Sequence, residues 1–190
     1  MSRKDRFRCV LLLSGGIDSA VALSWALSEG YEVHPLFIMY GQKGAIWERQ
    51  AAQRVVVTMQ DLPKLRKPGY LCPLEEVVIQ TDNLFGSSAL LYGTKKKIKV
   101  VKDSYDSSGG QGAFVPFRNG IFLSLAAAYA DTVGADTITT GLFHTGDKGD
   151  FPDSSKAFLW YAGHFINSGF GRPAGMEILS LNDMPGKEKV

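Results

Sequence analysis

The sequence predicts an α/β protein built on an open, mostly parallel sheet with helices on both faces. Three observations carry that prediction. Short apolar runs alternate with helical patterns along the chain, which is how βαβ units read. Glycines stand where apolar runs stop, at Gly15-Gly16, Gly41 and Gly141. A chain of 190 residues, 45% hydrophobic and 21% charged, suits one domain over residues 1–190 with a full core.

Residues 7–13 are continuously apolar after their basic start, as a strand covered on both faces requires. A helix over 19–28 follows, closed by Gly30, and a second strand over 31–39 ends at Tyr40-Gly41-Gln42. Residues 45–60 have helical character, bounded by Pro63. Residues 74–79 fit a third strand or a short helix equally, because so brief a run shows no period. Residues 86–117 are irregular and hold Lys95-Lys96-Lys97, Lys99 and Ser107-Ser108-Gly109-Gly110. A loop that long inside a compact domain is usually functional or mobile. Arg118-Asn119-Gly120 then precede a helix over 121–133 whose nearly all-round apolar content reads as buried, ended by Gly134. A strand over 136–140 closes at Gly141, a helix covers 158–166, and a last strand covers 176–181. No internal repeat is visible. In a parallel sheet ligands sit beyond the carboxyl ends of the strands, so the segments at residues 14–16, 40–42 and 141–142 converge on one edge.

Bulk properties exclude more than they assert. A formal net charge of +2 decides nothing about nucleic acid, and the Lys95–Lys99 run reads as a solvated loop. Two cysteines, Cys9 and Cys72, make no disulfide framework, and with His34, His144 and His164 they lack metal-ligand spacing, so no zinc site is expected from them. The apolar run behind Arg3, Lys4, Arg6 and Arg8 is shorter than the ~7–15 residues of a signal-peptide core. No stretch nears the ~20 apolar residues of a membrane span, so a cytoplasmic location is expected.

The chemistry is concentrated in Ser14-Gly15-Gly16-Ile17-Asp18-Ser19, between Leu13 at the end of the first strand and the first helix. The glycines let backbone N–H groups approach an anion, and the helix N-terminus adds its positive end. Ser14 and Ser19 supply hydroxyls, and Asp18 is placed to help hold magnesium beside phosphate. No Gly-Lys-Ser/Thr follows, so this is not a Walker A loop. A bare glycine turn before a helix would need none of the flanking hydroxyls.

These six residues resemble the pyrophosphate loop of the N-type ATP pyrophosphatases, a superfamily with an adenine nucleotide alpha hydrolase-like fold. Further segments resemble one branch of it, the 7-cyano-7-deazaguanine synthases. They are Tyr40-Gly41-Gln42, Val115-Pro116-Phe117-Arg118-Asn119 with Ile121-Phe122-Leu123-Ser124-Leu125-Ala126, Gly134-Ala135-Asp136, and Asp147 through Phe151-Pro152-Asp153 to Phe158. The resemblance implies ATP as cosubstrate, with Mg2+, held by Leu13, Ser14, Gly15, Gly16, Ile17, Asp18, Ser19, Tyr40, Gln42 and Gly141. It implies 7-carboxy-7-deazaguanine and ammonia as the other reactants and a homodimer as the assembly. Asp18, Ser19, Arg118 and Lys187 are then expected to act in catalysis, and Arg118, Asn119, Asp147 and Asp153 to bind substrate.

The sequence departs from the family in places. Met39 stands where the family has Asp, Lys43-Gly44 replaces a basic pair, and Ser154-Ser155 replaces Cys-Arg. The family's C-terminal cluster of four zinc-binding cysteines has no counterpart in these 190 residues, so no zinc is expected. Two other readings of the loop are an adenylating enzyme acting on a tRNA base and a non-catalytic nucleotide-binding remnant. A thiolating enzyme would want cysteines near the pocket, and neither Cys9 nor Cys72 suits.

Overall fold

The computed structural model describes residues 7–61, 68–80, 90–91, 114–145, 151–170 and 175–184. It contains the predicted open sheet, and every pairing between its strands is parallel. The strands are β1 (Arg8–Leu12), β2 (Glu32–Met39), β3 (Tyr70–Leu71), β4 (Glu75–Val78), β5 (Thr137–Thr140) and β6 (Glu177–Leu179). Their order is β3-β2-β1-β5-β6, with β4 also paired to β2. β3 pairs with the first residues of β2 and β4 with its last four, so together they line one side of it. The ambiguous run at 74–79 is therefore a strand. The short β3 escapes sequence reading because two residues show no period.

The helices are α1 (Ile17–Ser28), α2 (Ala45–Asp61), α3 (Arg118–Val133) and α4 (Lys156–Phe170). β1 shows why the sheet is covered twice: Cys9, Leu11 and Leu13 pack with Ala22, Leu23, Ala26 and Leu27 of α1 and with Ala52 and Val56 of α2. Val10 points the other way, into a second cluster with Leu123, Ala126, Ala127 and Ala130 of α3 and Leu159 and Ile166 of α4. That alternation is the period of two expected of a strand. α3 buries one face rather than its whole surface, since Ser124, Ala128 and Asp131 remain exposed. Its small alanines let it lie close to the sheet. No helix among the described residues is long and apolar enough to cross a membrane.

Three helix starts come earlier than expected, and α4 begins at Lys156 rather than at 158. α1 begins at Ile17, two residues early, which places Asp18 inside its first turn rather than ahead of it. α3 begins at Arg118, three residues early, because Phe117 takes a left-handed conformation (φ 59°) that turns the chain into the helix. Gly120 then sits under the Phe117 ring, where an added Cβ would lie 2.6 Å from Cε1.

Cys9 is wholly buried, and that burial pushes its thiol from 9.0 up to about 12. The folded state thus keeps a proton that the unfolded chain releases first. Stability is complete below about pH 9 and falls as pH rises toward 12, with a limiting slope of ~1.4 kcal/mol per pH unit from this group. Urea denaturation between roughly pH 8 and pH 11 should show this decline, and Cys9→Ala should flatten its first part.

Candidate functional site

β1 is flanked by β2 on one side and β5 on the other, so the chain leaves the sheet centre toward opposite edges. A crevice opens beyond the carboxyl ends at such a point. Here it is a cavity of about 420 Å³. Leu12, Leu13, Ser14, Gly16, Asp18 and Ser19 line it from the first βα unit, and Thr140, Gly141 and Leu142 from the end of β5. Leu36, Phe37, Ile38, Tyr40 and Gln42 contribute from β2 and its turn, and Arg118, Asn119 and Phe122 from α3. Three predicted segments far apart in sequence therefore do meet.

The loop is built for close approach. Gly16 is extended (φ −78°, ψ 163°) and no side chain caps α1. The first N–H groups of the helix are thus left for an anion. Gly15 takes φ +81°, and an added Cβ would stand 2.7 Å from Ala52 N and Glu48 O of α2. At Gly141 an added Cβ would stand 2.6 Å from Ser19 N. Ser19 Oγ donates to Gly16 O at 2.9 Å, and Ser14 Oγ lies 3.2 Å from Ser19 Oγ while accepting from Gly16 N at 3.3 Å. With the Ser19 proton on the carbonyl, Ser14 is the donor between the two hydroxyls. Ser19 is buried and braces the loop; Ser14 and Asp18 are exposed. Of the remaining loop residues, Ile17 is 80% exposed, and neither it nor Gly15 lines the cavity.

Arg118 faces the loop from the start of α3. Its Nη1 donates to Tyr40 Oη at 3.1 Å, and its Cζ lies 5.8 Å and 5.9 Å from the centroids of Tyr40 and Phe122. Burial raises the Tyr40 pKa above its usual value, with Arg118 pulling in the opposite direction, so the phenol is neutral and accepts this bond. Arg118 Nε is buried and has no hydrogen-bond partner among the described residues. A buried, orphaned cationic donor beside a cavity calls for an acceptor from outside the chain.

Gln42 has a different task. Its Oε1 accepts from Tyr40 N at 2.8 Å and its Nε2 donates to Glu48 Oε2 at 3.0 Å, which fixes the turn after β2 against α2. Asn119 also borders the cavity, but it is the second residue of α3 and not its cap. Its N–H donates to Asp153 Oδ2 and its Nδ2 to Asp153 O, both at 3.0 Å. Asp153 is 5% exposed and does not line the cavity. It is neither a solvated loop acid nor in contact with the cavity space; its carboxylate satisfies the open end of α3. Asp147, Lys187 and the Lys95–Lys99 run lie outside the described residues.

Glu48 and Leu90 line the cavity without a sequence signal, and Phe122, legible in the sequence only as part of the resembling helix segment, lines it as well. Phe122 sits four residues beyond Arg118 on one helix face, a spacing legible once the helix is started at Arg118. Glu48 falls in the first turn of α2 and reaches the site through its bond to Gln42, a tertiary contact with no sequence signal.

Gly141→Ala should abolish anion binding, read with inorganic pyrophosphate by isothermal calorimetry, while circular dichroism stays near native, since the methyl would displace the first turn of α1. Asp153→Ala should cost about 1–3 kcal/mol in urea denaturation, because it strips the acceptor from a buried helix start.

A family model described as "Queuosine biosynthesis protein QueC" matches residues 8–182. The chain is 38% identical over 152 residues to 7-cyano-7-deazaguanine synthase 1 of Desulfitobacterium hafniense (strain Y51), covering 80% of this chain and 61% of that protein. It is 33% identical over 177 residues to 7-cyano-7-deazaguanine synthase of Acidovorax sp. (strain JS42), covering 93% and 69%. The corresponding protein of Saccharolobus solfataricus is 30% identical, with 84% of this chain matching 32% of its length. The chain thus spans from about a third to just over two thirds of these relatives. Among solved structures, a 4-thiouridine synthetase in an RNA complex with bound ATP shares the fold, with a TM-score of 0.54 at 18% identity, over 96% of this chain and 38% of that one.

Proposed function

The chain belongs to the QueC family of queuosine biosynthesis proteins, and from that premise we propose that it forms 7-cyano-7-deazaguanine from 7-carboxy-7-deazaguanine and ammonia at the expense of ATP. The observation that carries this reading is the pairing across one cavity of an uncapped helix N-terminus with the orphaned Arg118 Nε. The first suits the phosphates of ATP and the second a carboxylate.

The chemistry follows from the weakness of a carboxylate as an electrophile. Its oxygen attacks the α-phosphorus of ATP, releasing pyrophosphate and giving an acyl adenylate. Ammonia displaces AMP to leave an amide and a proton. A second ATP activates the amide oxygen in the same way, releasing pyrophosphate, and loss of AMP and both amide N–H protons leaves the nitrile. The loop from Ser14 to Ser19 holds the departing pyrophosphate through backbone N–H groups, joined by the exposed Ser14 hydroxyl as its proton turns from Ser19 to the anion. Arg118, held by Tyr40, orients the carboxylate. Leu36, Phe37, Ile38 and Phe122 offer apolar surface to a flat base. Asn119 borders the same space. Asp18, exposed at the cavity, fits magnesium, which supplies charge neutralisation for the phosphates when bound. Cys9 and Cys72 lie on opposite faces of the sheet and neither lines the cavity, so no step is routed through them. Pairing of two copies, implied by the resemblance, would find Trp160, Tyr161 and Phe165 exposed on α4.

The test is turnover by the 190-residue chain with Mg-ATP, ammonium and 7-carboxy-7-deazaguanine, following AMP and nitrile by mass. Two AMP per nitrile are expected, and Ser19→Ala and Asp18→Ala should depress both. Arg118→Gln should lower kcat/KM about 10–100-fold, the worth of a hydrogen bond to a charged group. AMP that forms equally without the acid would refute the assignment and favour another acceptor, whereas ATP binding with no AMP would leave a non-catalytic remnant.

A further inference from the structure

At the end of β2 remote from the cavity, three side chains of metal-ligand type meet. Glu32 and His34 stand two residues apart on β2 and so project from one face. β3 runs beside them in the register Glu32↔Tyr70 and Val33↔Leu71, which carries Cys72 alongside His34. The Cys72 N–H donates to Val33 O at 2.9 Å, extending that ladder. One ligand atom from each of Glu32, His34 and Cys72 lies within 4.8 Å of the others. Glu32 and Cys72 are 3% and 5% exposed, while the His34 side chain is 13% exposed and lets solvent in.

The distances carry the argument. His34 Nε2 is 3.4 Å from Glu32 Oε1 and 3.7 Å from Cys72 Sγ. As hydrogen bonds these are long, and a single ring nitrogen serves only one of them at a time. As edges of a tetrahedron these two have the right size, and the third, from the Glu32 carboxylate to Cys72 Sγ, lies within 4.8 Å and would shorten as an ion draws the pair together. Ligands bonded at ~2.0 Å through N or O and ~2.3 Å through S stand roughly 3.3 Å (N to O) and 3.6 Å (N to S) apart.

We infer that Glu32 Oε1, His34 Nε2 and Cys72 Sγ form a site for a zinc-class divalent transition ion, with water in the fourth position. A carboxylate, an imidazole and a thiolate together suit such an ion and not the hard magnesium or calcium ions, which take oxygen ligands. Binding releases the Cys72 thiol proton to solvent and requires the His34 ring proton on Nδ1. Arg8 orients the carboxylate from outside: its Nε is 3.7 Å from Glu32 Oε1, and its Nη1 is anchored on Val133 O at 3.1 Å. Tyr40 lies six steps along the chain from His34, about 20 Å of strand, so the ion takes no part in ATP chemistry. It ties the two-residue β3 to β2. One carboxylate, one imidazole and one thiolate also set it apart from a four-cysteine cluster.

Cobalt titration of the full chain, stripped with chelator, tests this. One equivalent should give the intense visible bands of a tetrahedral site and a thiolate-to-cobalt charge-transfer band, both displaced by zinc. The sequence has only two cysteines, so the thiolate can be assigned. Cys9→Ala should keep the band, Cys72→Ser should lose it, and His34→Ala should weaken binding by about 100-fold or more. Zinc should raise the unfolding temperature of the wild type and of Cys9→Ala, but not of Cys72→Ser. The site is refuted by folded wild-type protein that gives no thiolate band, by a band that Cys9→Ala removes, or by one that survives Cys72→Ser. If Cys72→Ser does not fold, the band in Cys9→Ala decides alone, since only Cys72 remains to produce it.

Discussion

The carboxyl edge of the sheet depends on one close approach of backbone to backbone. Gly141, leaving β5, lies against Ser19 in the first turn of α1 with no room between them for a methyl group. That approach exists because β1 pairs in parallel with β5, from Cys9↔Thr137 to Leu12↔Thr140, so both strands end at the same level. Gly15 meets α2 under the same restriction on the other side. The loop is thereby gripped between two elements through Gly15 and Gly141, and the first N–H groups of α1 carry no side-chain cap because the N-cap residue is itself a glycine, Gly16.

Charge within the cavity follows from what that packing leaves open. The helix start contributes partial positive charge on one wall, and Arg118 contributes a full charge on another. Tyr40 makes the second stable. It is 5% exposed, its phenol is kept neutral by burial, and its oxygen accepts one guanidinium N–H while its ring and that of Phe122 lie near the cation. A guanidinium held on one side by a phenol and two aromatic rings cannot also turn its Nε to them, so that donor stays unpaired. Lysine in its place would offer a rotatable ammonium and lose this fixed direction. Asp18 at the cavity balances the cationic walls.

Much of this was legible in the chain, and the reasons are local. Ser14 to Ser19 announces itself through glycines between an apolar run and a helical pattern, and Gly141 through its place at a strand end. What stayed hidden depends on contacts between distant segments. Asp153 reads as a loop acid until α3 is seen to start against it. Gln42 reads as a ligand contact, although its amide is engaged with Tyr40 N and Glu48. The start of α3 was misplaced because a phenylalanine with positive φ has no sequence signature.

The cluster of Glu32, His34 and Cys72 was the least legible of all, and its geometry says why. Metal motifs are recognised by spacing along the chain, but here 38 residues separate His34 from Cys72. Their proximity comes from the register of β3 on β2, and a shift of one residue would turn Cys72 to the opposite face. The pairing that makes β3 a strand is therefore the same pairing that assembles the ligands. A strand of two residues has little ladder of its own to hold that register, and a bond across it from Cys72 to His34 acts where the ladder is shortest. The two ends of β2 are thus given to different work. Its carboxyl end, at Tyr40, shapes a cavity that must admit ligands, and its amino end, at Glu32, is closed over a buried polar cluster that holds the edge of the sheet.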